Sequence, residues 1–472
     1  MSVKTQLAVI GGGPGGYAAA FLAADLGMNV TLIDLEKNPG GVCLYRGCIP
    51  SKALLHVAKL IHEAEDAKKW GVEFGEPKID INKLRDFKNG VVTKLTGGLG
   101  QLCKQRKVNY INGRATFVNS NTLSVAKLDG TAEEVIYEKA ILATGSVPAM
   151  IPGFPNDSPR VMDSTSALDI NDVPEKLLVI GGGYIGLELS TVYASLGSKV
   201  TVVEMLPGLL PGADRDLVAV LEKRLKTILD KVYTETKVVE LKDNGKSVVV
   251  KLEGKNVTEP EQTFDKVLVS IGRKPVTTGL GLENTNVKVN QRGFVVVDKQ
   301  LKTDDANIYA IGDIVGGAML AHKAAAEGKV AVEAILGHKV AFEPNAIPAV
   351  VFTDPELAWA GLTETEAREK GIKVEVAKFP WGASGRATTL DRNDGMTKLI
   401  IEPETERILG VAIVGVGAGD MIAEGTLAIE MGAVVKDLEL TIHPHPTLSE
   451  TMMFAAELFY GHATDMYRPK RK

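Results

Sequence analysis

The chain is poor in cysteine and aromatics and has no long uncharged apolar run. Each shortage excludes something. Three cysteines in 472 residues cannot make a disulfide-stapled fold, and a chain of this length can bury its own cores without staples. No apolar stretch free of charge reaches about 18 residues, so no membrane span is expected. The net charge is only −5, which argues against a nucleic-acid-binding surface. Zinc needs further thiol or imidazole ligands at close spacing to the cysteines, and none is there, so no metal is expected. The apolar stretch after Lys4 is broken by Gly11 to Gly16. It reads as strand, turn and helix, not as an export signal, and a cytoplasmic location is expected.

What the chain has in quantity is glycine, 49 residues, and the content of an α/β protein with many tight turns. Its length calls for two to four domains. An internal repeat organises the first half: GGGPGGYAAAFLAADLGMNVTLID from Gly11 to Asp34, and GGGYIGLELSTVYASLGSKVTVVE from Gly181 to Glu204. Both have Gly-Gly-Gly-x-x-Gly, a later Leu-Gly pair (Leu26-Gly27, Leu196-Gly197) and a final acid. Each follows a short apolar strand, Leu7–Ile10 or Leu177–Ile180. Such glycines permit a tight turn, close approach of backbone to a pyrophosphate, and packing of helix on strand. The helix N-terminus then offers free N–H groups to the phosphates. Asp34 and Glu204 each lie 18 residues past the third glycine of their motif, where an acid accepts from a ribose hydroxyl. The alternative for each copy is a plain strand-to-helix connection. Two copies with the same offsets favour two dinucleotide sites, and a carboxylate at Glu204 favours NAD over NADP. A second matching pair, Lys139–Gly145 and Lys266–Gly272, suggests that each unit holds a strand-rich insertion and a closing strand.

Cys43 and Cys48 have four residues between them and can close a small ring. Leu54–Ala67 has apolar residues at helical spacing, which puts Cys48 just before that helix or in its first turn. A helix N-terminus and Lys52 would both stabilise a thiolate there. Two buried apolar thiols, or half of a metal site, are the alternatives to a redox pair. Cys103 reads as an inert thiol.

Two of the seven histidines fall in Thr441–Glu450, TIHPHPTLSE. His445 is suited to act as a base near neutral pH, although a loop histidine can also be merely solvated. Glu450 could orient that imidazole. Equally, Thr447-Leu448-Ser449-Glu450 reads as a capping box with Thr447 as N-cap.

Together the segments GGVCLYRGCIPSKALLHVAK from Gly40, GGGYIGLE at 181–188, SIGRKP at 270–275, IYAIGDIVGGAMLAHKA at 308–324 and HPHPTLSE at 443–450 closely resemble the pyridine nucleotide–disulfide oxidoreductase family. The resemblance covers essentially the whole chain. It implies two Rossmann-like FAD- and NAD-binding domains plus an α+β C-terminal dimerisation domain. The expected division is 1–150 for FAD, 151–275 for NAD, 276–345 completing the FAD site, and 346–472 for the interface. By resemblance FAD would be held by Gly11, Gly13, Gly16, Asp34, Lys52, Gly113, Thr144, Gly145, Ser146, Asp313, Met319, Ala321 and His322. NAD would be held by Gly181, Gly183, Gly186, Glu204, Gly272 and Arg273. Cys48 would be the flavin-side thiol and Cys43 the interchange thiol, with Lys52 and Glu188 paired beside the flavin. His445, oriented by Glu450, would be the base and would come from the other subunit of a homodimer.

The implied activity is reoxidation of protein-bound dihydrolipoyl groups with NAD⁺. The implied partners are lipoyl domains of 2-oxo acid dehydrogenase acyltransferase subunits. Glutathione-type reductases would prefer NADP and want basic residues near position 204. Mercuric reductases carry a C-terminal cysteine pair, and no cysteine follows Cys103. A flavoprotein that only binds and assembles is the rival of another class. Two residues depart from the family pattern: Tyr45, where asparagine is usual, and Pro444, where alanine is usual.

Overall fold

A computed structural model describes residues 2–467. Its first sheet is built on five strands running parallel, in the spatial order Asn109–Asn119, Val30–Asp34, Ser2–Ile10, Ala132–Leu142, Ile308–Ala310. Its central strands are nearly continuous apolar runs, as a sheet covered on both faces requires; Leu7, Ala8, Val9, Leu32, Ile141 and Leu142 are fully buried. The far half of Asn109–Asn119 turns into an antiparallel meander through Thr122–Lys127 to Ala132–Leu142.

The closing strand Ile308–Ala310 belongs to a much later part of the chain. It is followed by the helix Ala321–Ile335, which lies against the first fingerprint helix, Pro14–Asp25. Glycine makes that approach possible: a Cβ on Gly328 would press on the Gly15 carbonyl oxygen at 2.7 Å.

The second sheet repeats the plan. Lys231–Tyr233, Lys199–Val203, Lys176–Ile180, Lys266–Val269 and Val161–Met162 run parallel in that order. A separate antiparallel sheet of Thr236–Asp243, Val248–Gly254 and Glu261–Phe264 sits beside it. Both units therefore contain a strand-rich insertion, and the matching segments fall at the strands that return from it, Ala132–Leu142 and Lys266–Val269. A short antiparallel pair, Ser146–Pro148 with Arg273–Pro275, joins the two units.

The third sheet is wholly antiparallel, in the order Ala349–Val351, Glu356–Gly361, Ile408–Gly415, Met396–Ile401, Glu375–Pro380. Helices Ala418–Met431 and Glu450–Tyr460 pack on it around buried Trp381, Phe379 and Met452. Buried Lys398 on this sheet meets Asp214 at 2.8 Å and Asp216 at 2.6 Å, at the start of a helix of the second unit, and Glu364 at 3.2 Å. These three carboxylates lie close enough to suggest a cation site, but the Lys398 ammonium already stands among them. Among the described residues no helix is long and apolar enough to cross a membrane.

Candidate active site

The first fingerprint folds as its glycines dictate. Gly11 has φ +106°, and a Cβ there would strike the Ala143 carbonyl. Gly13 is the N-cap of Pro14–Asp25, and no side chain caps the helix, so its first N–H groups face outward. Gly16 packs so tightly on the Gly11 carbonyl that no side chain fits; its part is to hold helix on strand. At the end of the next strand Asp34 accepts from the N–H groups of Gly12 and Glu36. Burial raises its pKa above the ordinary value, opposed by the Gly12 hydrogen bond and the Arg46 charge.

Beside this turn opens a cavity of about 440 Å³. Its walls include Gly11, Gly13, Asp34, Lys52, Gly113, Thr144, Gly145, Ser146, Asp313, Met319 and Ala321, with both cysteines and apolar Ile10, Ile33, Leu280 and Ile311. An uncapped helix N-terminus over glycine, an acid at the strand end and apolar walls beyond suit a flavin dinucleotide: pyrophosphate, ribose and ring each find matching chemistry. Ser146 donates to the Asp313 carboxylate, which is presented on the turn Gly312–Val315. That turn is held by a buried pair, with Glu327 accepting from Gly312 N–H at 2.7 Å and Lys323 donating to the Gly316 carbonyl at 2.9 Å.

The redox segment forms two helices broken at Gly47. Gly41–Arg46 carries Cys43, and Cys48 is the first residue of Cys48–Asp66. The two thiols are free, and each titrates under the influence of the other. Cys48 is lowered to about 7, chiefly by the hydrogen bond from Cys43 and with help from the Lys52 charge, against burial and the Glu188 carboxylate. Cys43 is pushed up by donating that bond, and further by burial. Cys48, at the first position of its helix and one turn before Lys52, is the thiol favoured as thiolate.

Lys52 stands one helical turn beyond Cys48 and pairs with Glu188 at 2.7 Å. The other Glu188 oxygen accepts from Phe352 N–H at 3.0 Å, and the Phe352 ring lies under the Lys52 ammonium. Glu188 lies on Tyr184–Ser195, the helix of the second fingerprint. Tyr184, Ile185, Glu188 and Leu189 line the same cavity as the cysteines. The second fingerprint therefore opens beside the first cavity. Gly183 is the uncapped N-cap of its helix, a Cβ on Gly186 would strike the Gly181 carbonyl, and Gly181 has φ +111°. Glu204 accepts from Gly182 N–H and Leu206 N–H, both at 2.7 Å.

Several residues named from sequence have partners that the sequence does not indicate. Arg273, expected with NAD beside Gly272, donates to Ser146 Oγ at 2.6 Å and to the Ser146 carbonyl at 2.7 Å, and lines the first cavity. His322 is turned away from that cavity, with Nε2 at 2.7 Å from the Pro348 carbonyl. Thr447 is not the N-cap of the last helix: Ser449 holds that place and the helix runs Glu450–Tyr460. Glu450 nonetheless has two partners, His445 Nδ1 at 2.9 Å and Thr447 N–H at 2.8 Å. The dyad and the backbone contact coexist, one on each carboxylate oxygen. The His445 side chain is 78% exposed while that of Glu450 is 8% exposed. No histidine lines the cavity, so one subunit does not bring an imidazole to the thiols. His443 has its own carboxylate, Glu424 at 2.7 Å, whose hydrogen bond raises its pKa.

Glu36, Arg46 and Tyr184 line the cavity and are absent from the sequence assignment. For Tyr184 a signal was available, since it occupies the first helical position of the second fingerprint.

Two nucleotide folds, one cavity shared with a thiol pair, and an antiparallel third sheet define a nicotinamide-linked disulfide oxidoreductase of the flavin-dependent kind. The chain matches the pyridine nucleotide-disulphide oxidoreductase family over residues 5–328 and that family's dimerisation domain over 347–456, and it belongs to this family. Dihydrolipoyl dehydrogenase from Vibrio cholerae is 50% identical over 472 residues, covering 100% of this chain and 98% of that protein. Among solved structures, LpdA from Mycobacterium tuberculosis superposes with a TM-score of 0.89 at 26% identity, covering 96% of this chain and 99% of that one. The Escherichia coli flavoprotein disulfide reductase RclA superposes with a TM-score of 0.85 at 30% identity, covering 96% and 99%.

Proposed function

We propose that this chain oxidises protein-bound dihydrolipoyl groups with NAD⁺, giving lipoyl disulfide, NADH and a proton. The observation that carries this reading is the shared cavity: the first fingerprint, both cysteines and the opening of the second fingerprint helix form its walls. Full-length similarity to dihydrolipoyl dehydrogenases supports the same reaction.

Bound FAD supplies the two-electron relay between the thiol pair and NAD⁺. Gly11, Gly13, Asp34, Thr144, Gly145, Ser146, Asp313, Met319 and Ala321 would hold it, and Gly181, Gly183 and Glu204 would hold NAD, with Gly186 packing helix on strand as Gly16 does. A substrate thiol gives its proton to the partner subunit's His445, which Glu450 orients through Nδ1. The thiolate attacks Cys43 in the Cys43–Cys48 disulfide and releases Cys48 as thiolate. Attack by the second substrate thiol on the mixed disulfide leaves lipoyl disulfide, and its proton passes to the departing sulfur, so Cys43 is freed as a thiol. The substrate loses two electrons and two protons, and the cysteine pair gains the electrons. Lys52 and the helix N-terminus at Cys48 hold the thiolate against the cavity, and Glu188 keeps Lys52 in place.

A homodimer is supported by the dimerisation-domain match and by exposed Leu427, Met431, Leu440 and Ile442 on the third domain. We assign the domains as 1–150, 151–275, 276–345 and 346–472, the third returning to complete the flavin site. Lipoyl domains of 2-oxo acid dehydrogenase complexes, in the cytoplasm, are the substrates this chemistry fits. Flavin-loaded protein mixed with dihydrolipoamide and NAD⁺ is expected to form NADH. Loaded protein that forms none would leave only a binding role.

A further inference from the structure

Tyr45 and Arg46 lie between the two cysteines in sequence, yet neither has a part in the steps above. Both reach the loop Leu35–Asn38. The Tyr45 hydroxyl donates to the Asn38 carbonyl at 3.0 Å and accepts from Asn38 N–H at 3.3 Å. The Arg46 guanidinium pairs with Glu36, and Glu36 N–H donates to Asp34 Oδ1 at 2.8 Å. Arg46, Glu36 and Asp34 all line the cavity. On its other side the loop is pinned by the Tyr110 hydroxyl, which donates to the Glu36 carbonyl at 2.7 Å. The loop is thus fixed to the sheet at one edge and to the redox segment at the other.

We propose that Tyr45 and Arg46 are positioning residues, a clasp that ties the redox segment to the loop that follows the ribose acid, so that flavin retention and thiol geometry are set together. The inference rests on the function proposed above. Two independent contacts from adjacent residues fix both the position and the rotation of the short helix Gly41–Arg46, and hence of Cys43, which it carries. Phenylalanine or asparagine at position 45 would lack the hydroxyl that makes both contacts with Asn38.

The test uses flavin-loaded protein with Tyr45→Phe, Tyr45→Asn, Arg46→Met and the exchange Glu36→Arg with Arg46→Glu. Two quantities are read in each: the rate of FAD release, by recovery of free-flavin fluorescence, and the pH at which the long-wavelength absorbance of the dithiol-reduced protein is half-developed. Loss of one clasp contact is expected to speed release about fivefold or more and to move the half-point upward. The exchange is expected to restore both toward the parent, which separates lost pairing from misfolding. Faster release with an unmoved half-point, or neither change in folded variants, overturns the clasp. A parent protein that purifies with flavin but shows no long-wavelength band on reduction overturns the functional reading beneath it.

Discussion

Glu450→Gln separates the two partners of Glu450 and tests the dyad directly. The carboxylate accepts from His445 Nδ1 at 2.9 Å on one oxygen and from Thr447 N–H at 2.8 Å on the other. That bond holds the imidazole with its proton on Nδ1 and its lone pair on Nε2, the arrangement a base needs. Glutamine has one oxygen and one amide group. If the oxygen stays with Thr447 N–H, the amide faces Nδ1 and forces the proton to Nε2, and the base is lost. If the amide instead faces Thr447, two donors oppose each other at a part-buried backbone group, at a cost of about 1 kcal/mol. A hydrogen bond to a charged group contributes about 1.5–3 kcal/mol, equivalent to about 10- to 150-fold in rate. Exposure of His445 in a single subunit screens the pair, so the upper figure applies where a partner closes the site. The fall should appear in kcat with dihydrolipoamide, with KM for NAD⁺ unchanged because Glu204 and the second fingerprint are untouched. Thermal stability should fall only slightly, since a carboxylate in the first turn of a helix contributes about 0.3–1 kcal/mol. A folded Glu450→Gln protein with kcat within twofold of the parent would refute the dyad and leave Glu450 a helix residue.

Three further outcomes follow from other parts of the structure. The Cys48 thiol is lowered to about 7, so thiolate increases as pH rises through that value; the long-wavelength absorbance of reduced protein should be half-developed at or below about pH 7, and a half-point near the ordinary thiol value of about 9 would contradict the pairing with Cys43. Glu204→Arg removes the acceptor of Gly182 and Leu206 N–H and adds a cation suited to a 2′-phosphate; kcat/KM for NAD⁺ should fall about tenfold or more, NADP⁺ should gain, and unchanged discrimination would remove Glu204 from the nucleotide site. Lys398→Met leaves buried Asp214 without its ammonium, while Lys378 still pairs with Asp216 and Glu364; denaturant unfolding should show about 1–3 kcal/mol lost, and an unchanged stability would mean that Asp214 does not depend on Lys398.

The nucleotide units are legible in sequence because their glycines are steric necessities at a fixed spacing. Gly16 and Gly186 each face a carbonyl that leaves no room for a side chain, and the acids at Asp34 and Glu204 follow from the length of one helix and one strand. The position of Cys48 is legible for a similar reason, since the apolar spacing of Leu54–Ala67 fixes where its helix begins. The closing strand Ile308–Ala310 is not. It has three residues, and it joins a sheet whose neighbouring strand ends at Leu142, so local pattern gives no hint of its partner. Arg273 follows from the same long-range geometry: its strand pairs with Ser146–Pro148, which directs the guanidinium to Ser146. The capping-box pattern at Thr447 misplaces the helix start by two residues, because Thr447 Oγ1 is spent on the Pro444 carbonyl. Arg46 and Glu36 carry no motif of their own, and only the folded loop brings them together.

The central claim is that the paired thiols exchange electrons with a flavin held in the cavity they line. Anaerobic titration of the flavin-loaded protein with dihydrolipoamide, followed by absorbance, tests it most directly. One equivalent of dithiol should produce a long-wavelength band from a thiolate lying against oxidised flavin. Cys48→Ser should abolish that band. A flavin spectrum unmoved by dithiol, or a band that survives in Cys48→Ser, would contradict the account.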